Sequence, residues 1–245
     1  MDTNGTKTNG WSESAQAWIE GIGEHGDWGR QYVLDAPMLQ RVDGRGFGTC
    51  LDLGCGEGRF CRQLEARGVT TTGIDPTVPL IERARHLHPD GRYLVADAEA
   101  LPLDASTFDL VVAYLSLVDI PDLTAAIHEV HRVLRPGGTF LIANLQSFNT
   151  ASIANGWTIE ADGTRRFCID HYLQERPVWS EWRGIRIRNW HRPLGSYLSS
   201  LLATGFVLRH FEEPAPIGVQ SDKAERFRRV PNFLVMEWQK VTTAG

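Results

Sequence analysis

The sequence has little of what marks a secreted, membrane-borne or nucleic-acid-binding protein. Its four cysteines, Cys50, Cys55, Cys61 and Cys168, form no C-x-x-C pair, which points to free, reduced thiols in a cytoplasmic protein. No long apolar run is present. The longest, Leu110–Val118, is strand-sized and carries Tyr and Ser, well short of the ~20 residues that cross a bilayer. Positive charge is not in excess: 25 Lys and Arg against 30 Asp and Glu leave a formal net charge of -5, so no general basic footprint for nucleic acid exists. Arg226, Arg228 and Arg229 read as the solvated face of a helix. Residues 1–10, "MDTNGTKTNG", lack the apolar core of a secretory signal and read as a flexible tail. No internal repeat or low-complexity tract is visible.

What is present is alternation. "TCLDL", "TTTGID", "RYLVAD", "FDLVVAYLSL" and "TFLIANL" are strand-like runs. Between them lie helical stretches, among them "EGRFCRQLEARG", "VPLIERARHLH" and "PDLTAAIHEVHRVL". Strict alternation over Thr49–Leu145 predicts an α/β fold, doubly wound around a mostly parallel sheet. Two helices are expected ahead of it, over Ser12–Ile22 and Tyr32–Val42, forming a helical cap (11–44). Beyond Asn149 the alternation stops. Residues 149–190 read as a substrate-cap insertion over the carboxyl ends of the strands, where such sheets bind ligands. Its "RGIRIRNW" alternates like a strand with one arginine face. The end of the chain reads as a helix, "LGSYLSSLLATG", and two strands, "FVLRHFEE" and "NFLVMEWQKV". With no helix expected between them, these two strands pair most simply as an antiparallel hairpin at a sheet edge. The whole is a single domain over 11–245 with seven strands, the last antiparallel.

"CLDLGCGEGRF" places three glycines, Gly54, Gly56 and Gly58, at alternate positions between the first strand and the first helix. Glycine weakens both element types, so either the backbone turns unusually there or a ligand approaches it closely. The helix amino end also presents unpaired N–H groups. The spacing is G-x-G-x-G and not the G-x-G-x-x-G of dinucleotide sites, which argues against a nicotinamide-dependent oxidoreductase. Asp75 ends the second strand, where an acid can take both ribose hydroxyls of an adenosine; a cap before Pro76 is its alternative reading.

On "LDLGCGEGRF", "GIDPT", "VADAEALPL", "FDLVVAYLSLVDIPD" and "VLRPGGTFLIA" the chain resembles the class I S-adenosylmethionine-dependent methyltransferases, in their small-molecule branch with a ubiquinone-biosynthesis-like core. The resemblance implies S-adenosylmethionine as cofactor and a small-molecule acceptor, with no nucleic acid and no membrane involved. It implies that Asp52 orients the glycine loop or the methionine amino group and that Gly54, Cys55 and Gly56 lie against the methionine part. Asp75 would bind ribose. Ile74 and Pro76 would flank the adenine, with Asp97 accepting from its amine and the Ala98 backbone beside it. Tyr114, with its neighbours Ala113 and Leu115, would sit near the methionine part and the sulfonium. Among the aromatics near the amino end, Trp11, Trp18 and Trp28 are candidates to close the site, Trp18 also against substrate, with core packing as an equal or better reading. A non-catalytic module that binds S-adenosylmethionine is the alternative function.

Transfer from a sulfonium needs mainly proximity and alignment, whereas a phenol or alcohol acceptor also needs a general base. His191, in "NWHRPLGSY", is the first candidate base, because histidine titrates near neutrality. It reads equally as a loop histidine bonding backbone, or as a binder of a substrate acid together with Arg192. His171, beside Tyr172 in "CIDHYL", is the second. Asp119 is the third, with a helix cap before Pro121 as its other reading. Trp190, Arg192 and Tyr172 are candidate substrate contacts. His128 and His131 with Glu129 resemble half a metal site, but no third ligand is suitably spaced, so no metal is expected.

Overall fold

The computed structural model describes residues 9–241, so the expected tail lies almost wholly outside the described residues. Helix α1 (Trp11–Ile22) turns Ala15 and Ile22 inward. A π-helical turn over Arg30–Leu34 then runs straight into α2 (Asp35–Gln40). The helix expected from Tyr32 therefore starts earlier and changes pitch. Pro37 has no N–H to offer the Val33 carbonyl, and the wider turn, in which Asp35 N–H reaches the Arg30 carbonyl, precedes that gap.

The central alternation follows: β1 (Thr49–Leu53), α3 (Arg59–Glu65), β2 (Thr70–Asp75), α4 (Val78–Leu87), β3 (Arg92–Val95), β4 (Phe108–Tyr114), α5 (Leu123–Val133) and β5 (Leu134–Leu145). The five strands pair in parallel, with Leu51 opposite both Thr72 and Val111, and Val111 opposite Phe140. Both faces are covered, which is why these strands read as continuous apolar runs. Leu53, Val111, Phe140 and Ile142 pack on one face; Cys50, Val112, Leu141 and Ala143 pack on the other. Helix α5 buries Leu123, Ala126, Ile127, Val130 and Val133, a stripe of helical period.

Two boundaries differ from expectation. The cap of α5 is Asp122, whose carboxylate accepts from Ala125 N–H at 2.9 Å, so Asp119 is not a cap. And β5 already begins at Leu134. It takes in "RPGG" with a shift of register between its contacts at Phe108 and Leu110.

After β5 come a single turn, α6 (Ser147–Thr150), and two antiparallel hairpins, β6 (Ser152–Ile159) with β7 (Arg165–Ile169) and β8 (Arg176–Trp182) with β9 (Ile185–His191). In β9 residues 185, 187, 189 and 191 are buried, and Arg186 and Arg188 lie on the other face, as the alternation predicts. Helix α7 (Leu194–Ala203), β10 (Phe206–Glu212), α8 (Asp222–Arg229) and β11 (Phe233–Lys240) complete the chain. β11 is antiparallel to both β10 and β5. The seven-stranded sheet has the order β10-β11-β5-β4-β1-β2-β3. The antiparallel pairing is as expected, but α8 intervenes, capped by Ser221 on Ala224 N–H at 3.2 Å. It carries Arg226, Arg228 and Arg229, whose reading as a solvated helix face it bears out, although no helix was expected between the two strands; only its Ala224 is buried. Among the described residues no helix is long and apolar enough to cross a membrane.

Phe140 is fully buried between β4 and β11, whereas Leu202 on α7 is mostly exposed. Phe140→Ala is expected to lower stability by about 3–5 kcal/mol and Leu202→Ala by no more than about 0.5 kcal/mol. Urea denaturation checks both; equal effects would contradict the assigned core.

Candidate active site

The chain leaves β1 through Gly54, Gly56 and Gly58 at φ 75°, 56° and 76°, a region that side chains rarely adopt. The Ile74 carbonyl accepts from both Gly54 N–H (2.9 Å) and Cys55 N–H (2.8 Å), anchoring the turn to β2. The glycines differ in what surrounds them. A Cβ on Gly54 would collide with Ser116, and one on Gly58 would meet the Tyr93 ring at 2.7 Å. A Cβ on Gly56 would meet only the Trp18 indole nitrogen, at 4.0 Å. Gly56 thus faces open space, and that space is a cavity.

The cavity measures about 650 Å³, the size of a small-molecule site. It lies across the carboxyl ends of β1, β2 and β4 and the segment after β3, at the point where strand order reverses between β1 and β4. Its roof is α1 and β9, sewn together by Arg186 N–H to Ser14 Oγ (2.9 Å) and Arg188 N–H to the Asn9 carbonyl (2.8 Å). Trp190 N–H fastens β9 to the Val118 carbonyl at 2.6 Å.

Acids dominate the floor. Asp75 accepts from Gly56 N–H at 3.0 Å on one oxygen and from Thr77 N–H at 2.8 Å on the other. Burial raises its pKa against those bonds. Asp52 is buried, with Oδ2 receiving the Cys61 thiol at 3.3 Å and Oδ1 unpartnered among the described residues. Burial, aided by the negative charges of Asp75 and Glu57, pushes it up to about 7. Asp119 accepts from the Asn189 amide at 2.6 Å, with the Trp11 indole beside it. Burial chiefly, then repulsion from Asp75, takes it to about 7. Arg30 spans the Trp18 and Tyr114 rings at 5.1 and 5.5 Å from their centroids and pairs with Asp27.

The cavity brings together Asp52, Gly54, Cys55, Gly56, Asp75, Pro76, Asp97, Ala98, Tyr114, Asp119, Trp11 and Trp18. The other expected residues lie elsewhere. Ala113 points into the core, since successive strand residues face opposite sides. Tyr114 presents its ring to the cavity, but its hydroxyl donates to Asp35 at 2.7 Å. His191 is fully buried away from the cavity. Its Nδ1 meets the Thr150 hydroxyl at 2.7 Å and its Nε2 the Tyr172 carbonyl at 2.8 Å, while burial lowers its pKa. It is a structural histidine, not a base. His171 is exposed, at φ 50° in the turn after β7 and beside Asp170. Tyr172 accepts Leu194 N–H through its hydroxyl, 3.1 Å away. Trp190 lies outside the cavity, on the far face of β9. Arg192 is spent on three carbonyls, Ile120 (2.6 Å), Pro121 (2.7 Å) and Leu117 (3.3 Å). It clamps the loop that carries Asp119. Trp28 packs against Tyr32 and Phe227. His131 stacks edge-on against Phe206, and no cluster of metal-ligating side chains occurs among the described residues.

Sequence reading missed Arg30 and Asn189, and it named Leu115 without its backbone conformation. Arg30 sits in a stretch read as plain loop, and its approach to the cavity depends on the π-helical turn. Asn189 is recognisable only once β9 lies over the β4–α5 loop. Leu115 takes φ 61° beside the cavity, a strained conformation for a branched side chain that no sequence signal announces.

Comparison with known proteins agrees with this geometry. Residues 51–142 match the family model described as a methyltransferase domain. Curated relatives named malonyl-[acyl-carrier protein] O-methyltransferase include those of Salmonella typhimurium, 37% identical over 64% of this chain and 61% of the relative, and of Pseudescherichia vulneris, 32% identical over 60% and 59%. The chain thus spans about three fifths of the length of these relatives. A solved S-adenosylmethionine-dependent methyltransferase from Mesorhizobium loti superposes with a TM-score of 0.73 at 31% identity, covering 83% of this chain and 96% of that one. The chain belongs to the class I S-adenosylmethionine-dependent methyltransferases.

Two outcomes test the site's electrostatics and the corrected role of His191. A folded-state pKa near 7 for Asp52, against about 3.9 unfolded, favours the protonated form in the fold. The associated stability is full below about pH 4 and lost as pH rises to 7, by about 4 kcal/mol at most. Asp52→Asn is therefore expected to raise the melting temperature at pH 8 and leave it little changed at pH 4; a uniform shift would refute the raised pKa. His191→Ala removes the imidazole partner of the Tyr172 carbonyl and of the Thr150 hydroxyl, and is expected to cost about 1–3 kcal/mol by denaturant titration. A variant as stable as the parent would restore a functional reading of this histidine.

Proposed function

We propose that this protein transfers a methyl group from S-adenosylmethionine to a small-molecule acceptor by in-line displacement. The single observation that carries the reading is the buried Oδ1 of Asp52, unpartnered among the described residues, in a residue that lines the same cavity as the open face of Gly56. A buried carboxylate oxygen without a donor is costly, and an ammonium group seated on the glycine turn would relieve it. The rest of the cavity fits the same cofactor. Arg30 supplies the cation for a carboxylate at the same end. Asp75 holds one backbone N–H on each oxygen and keeps lone pairs for a vicinal diol. Pro76, Leu80 and Ala98 offer an apolar slot for a purine. The Asp97 carboxylate, exposed at the end of that slot, takes no side-chain bond among the described residues and is placed to accept from an exocyclic amine.

When bound, the cofactor supplies a methyl group on a sulfonium that departs as a neutral thioether. The chain's own task is positional. Asp52, Asp75 and the turn hold one reactant, and the roof of α1 and β9 encloses the other. Such alignment is worth roughly 7–11 kcal/mol of barrier. Trp18 closes the cavity over Gly56 and keeps water from the reacting centre.

Calorimetric titration with S-adenosylhomocysteine, with NAD as control, tests the proposal. Binding of the first alone is expected. Asp75→Ala is expected to weaken it by about 10- to 100-fold, the worth of a charge-assisted bond pair. Unchanged affinity would remove Asp75 from the cofactor site, and binding of NAD alone would overturn the reading.

A further inference from the structure

We propose that Asp119 is the general base of this transferase and that its acceptor is a neutral hydroxyl compound, not a carboxylic acid. The inference rests on the methyl-transfer reading above and adds the acceptor class to it.

Charge comes first. Seven acidic side chains line the cavity against three arginines. Two of these arginines are already committed, Arg30 to Asp27 and Arg59 to Asp35. Arg188, the third, has its guanidinium toward the Trp190 ring on the far face of β9. Asp52, Asp75 and Asp119 have no ion-pair partner among the described residues, and Asp75 raises the pKa of both others. One more carboxylate in this space would face an excess of acids, with Arg30, the cation facing Asp119, already shared between Asp27 and the carboxylate of the proposed cofactor, which disfavours binding. A neutral acceptor carries no such penalty.

Position comes second. Asp119 lies on the acceptor side of the cavity, between the Trp11 end of α1 and the Asn189 position of β9. The cap of α5 is Asp122, so Asp119 has no local backbone task for its side chain. Instead its loop is held from three directions: by Arg192 on the Leu117, Ile120 and Pro121 carbonyls, by Trp190 N–H on Val118, and by the Asn189 amide on the carboxylate. Asn189 is itself oriented by the Ser180 hydroxyl, which donates to its amide oxygen at 2.8 Å. A carboxylate fixed by two layers of hydrogen bonds, aimed into a ligand cavity, has the geometry a base requires. The charged groups facing it are Asp75 from the end of β2 and Arg30 from the π-helical turn. Burial leaves it ionising near neutrality, where proton transfer is most effective.

The step balances. The acceptor O–H proton passes to Asp119 as the oxygen forms its bond to the methyl carbon. The carbon–sulfur bond breaks, and its electron pair stays on sulfur. A carboxylic acid acceptor, already ionised, would have no proton to give and no use for the base. Here the chain departs from what the name malonyl-[acyl-carrier protein] O-methyltransferase states for its relatives.

The test uses Asp119→Asn, an isosteric change, and Asn189→Ala. In protein labelled with carboxyl-¹³C aspartate, one resonance titrating near neutrality is expected to vanish in Asp119→Asn. In Asn189→Ala it is expected to move to higher pH, because a bond to the charged form is lost. S-adenosylhomocysteine affinity, by calorimetry, is expected to change less than about threefold in Asp119→Asn. Methyl transfer is then measured with a panel of simple phenols and alcohols and with the malonyl thioester of N-acetylcysteamine. Transfer to a hydroxyl probe is expected, falling about 10²–10⁴-fold in Asp119→Asn. Transfer to the malonyl thioester with Asp119→Asn unaffected, or no transfer to any hydroxyl probe, would overturn the proposal. Loss of S-adenosylhomocysteine affinity in Asp119→Asn would move Asp119 into the cofactor site and also overturn it. Failure of the parent protein to bind S-adenosylhomocysteine would instead sink the underlying methyl-transfer reading.

Discussion

Everything around the cavity answers to one constraint: three carboxylates, Asp52 and Asp75 buried and Asp119 half-buried, line it with no ion-pair partner among the described residues. Burying an ion costs several kcal/mol unless it is paired or hydrogen-bonded. Asp75 meets the cost with two backbone N–H groups, from Gly56 and Thr77. Asp119 meets it with the Asn189 amide. Asp52 has only a thiol, a weak donor, and is left with an empty oxygen. The deficit is greatest where the proposed cofactor's ammonium would rest. Such local destabilisation at a functional site is sustained because the sheet beneath it is packed on both faces.

The same constraint explains why the roof is built as it is. Asp119 lies on a loop, and loops move unless they are tied. Arg192 ties this one through three carbonyls, and β9 adds a main-chain bond at Val118. His191, next to Arg192, anchors the strand end to α6 through Thr150 and to the β7–β8 connection through Tyr172. The three residues Asn189, His191 and Arg192 therefore share one job, divided by strand alternation and by reach. Asn189 touches the proposed base, and the other two hold what surrounds it. β9 in turn is joined to α1 through Ser14, so the amino-terminal helix and the hairpin form one cover.

Legibility followed the range of the interactions involved. The central strands and helices were readable because a parallel sheet covered on both faces demands unbroken apolar runs, and its helices demand a 3.6-residue stripe. The glycine turn, Asp52, Asp75 and Asp97 were readable because the ends of β1, β2 and β3 fall on one edge in any such sheet. What failed was local resemblance without tertiary context. His191 looked like a base because histidines titrate near neutrality, but a buried imidazole with both nitrogens occupied does not. Asp119 looked like a cap because it precedes Pro121, yet Asp122 stands nearer the first helical turn. Helix α8 was legible only as a solvated arginine face, with no place between the two last strands, because it buries almost nothing.

The sequence by itself determined the architecture and named the residues of the end of the cavity proposed for the cofactor. Both depend on periodicity, on turn glycines and on acids placed at strand termini, all of which are written in neighbouring residues. Only the tertiary structure decided the end proposed for the acceptor. There Trp11, Arg30, Asp119 and Asn189 come from segments up to 178 residues apart in the chain. Their meeting depends on how α1, the π-helical turn and β9 close over the sheet, and no local pattern encodes that closure.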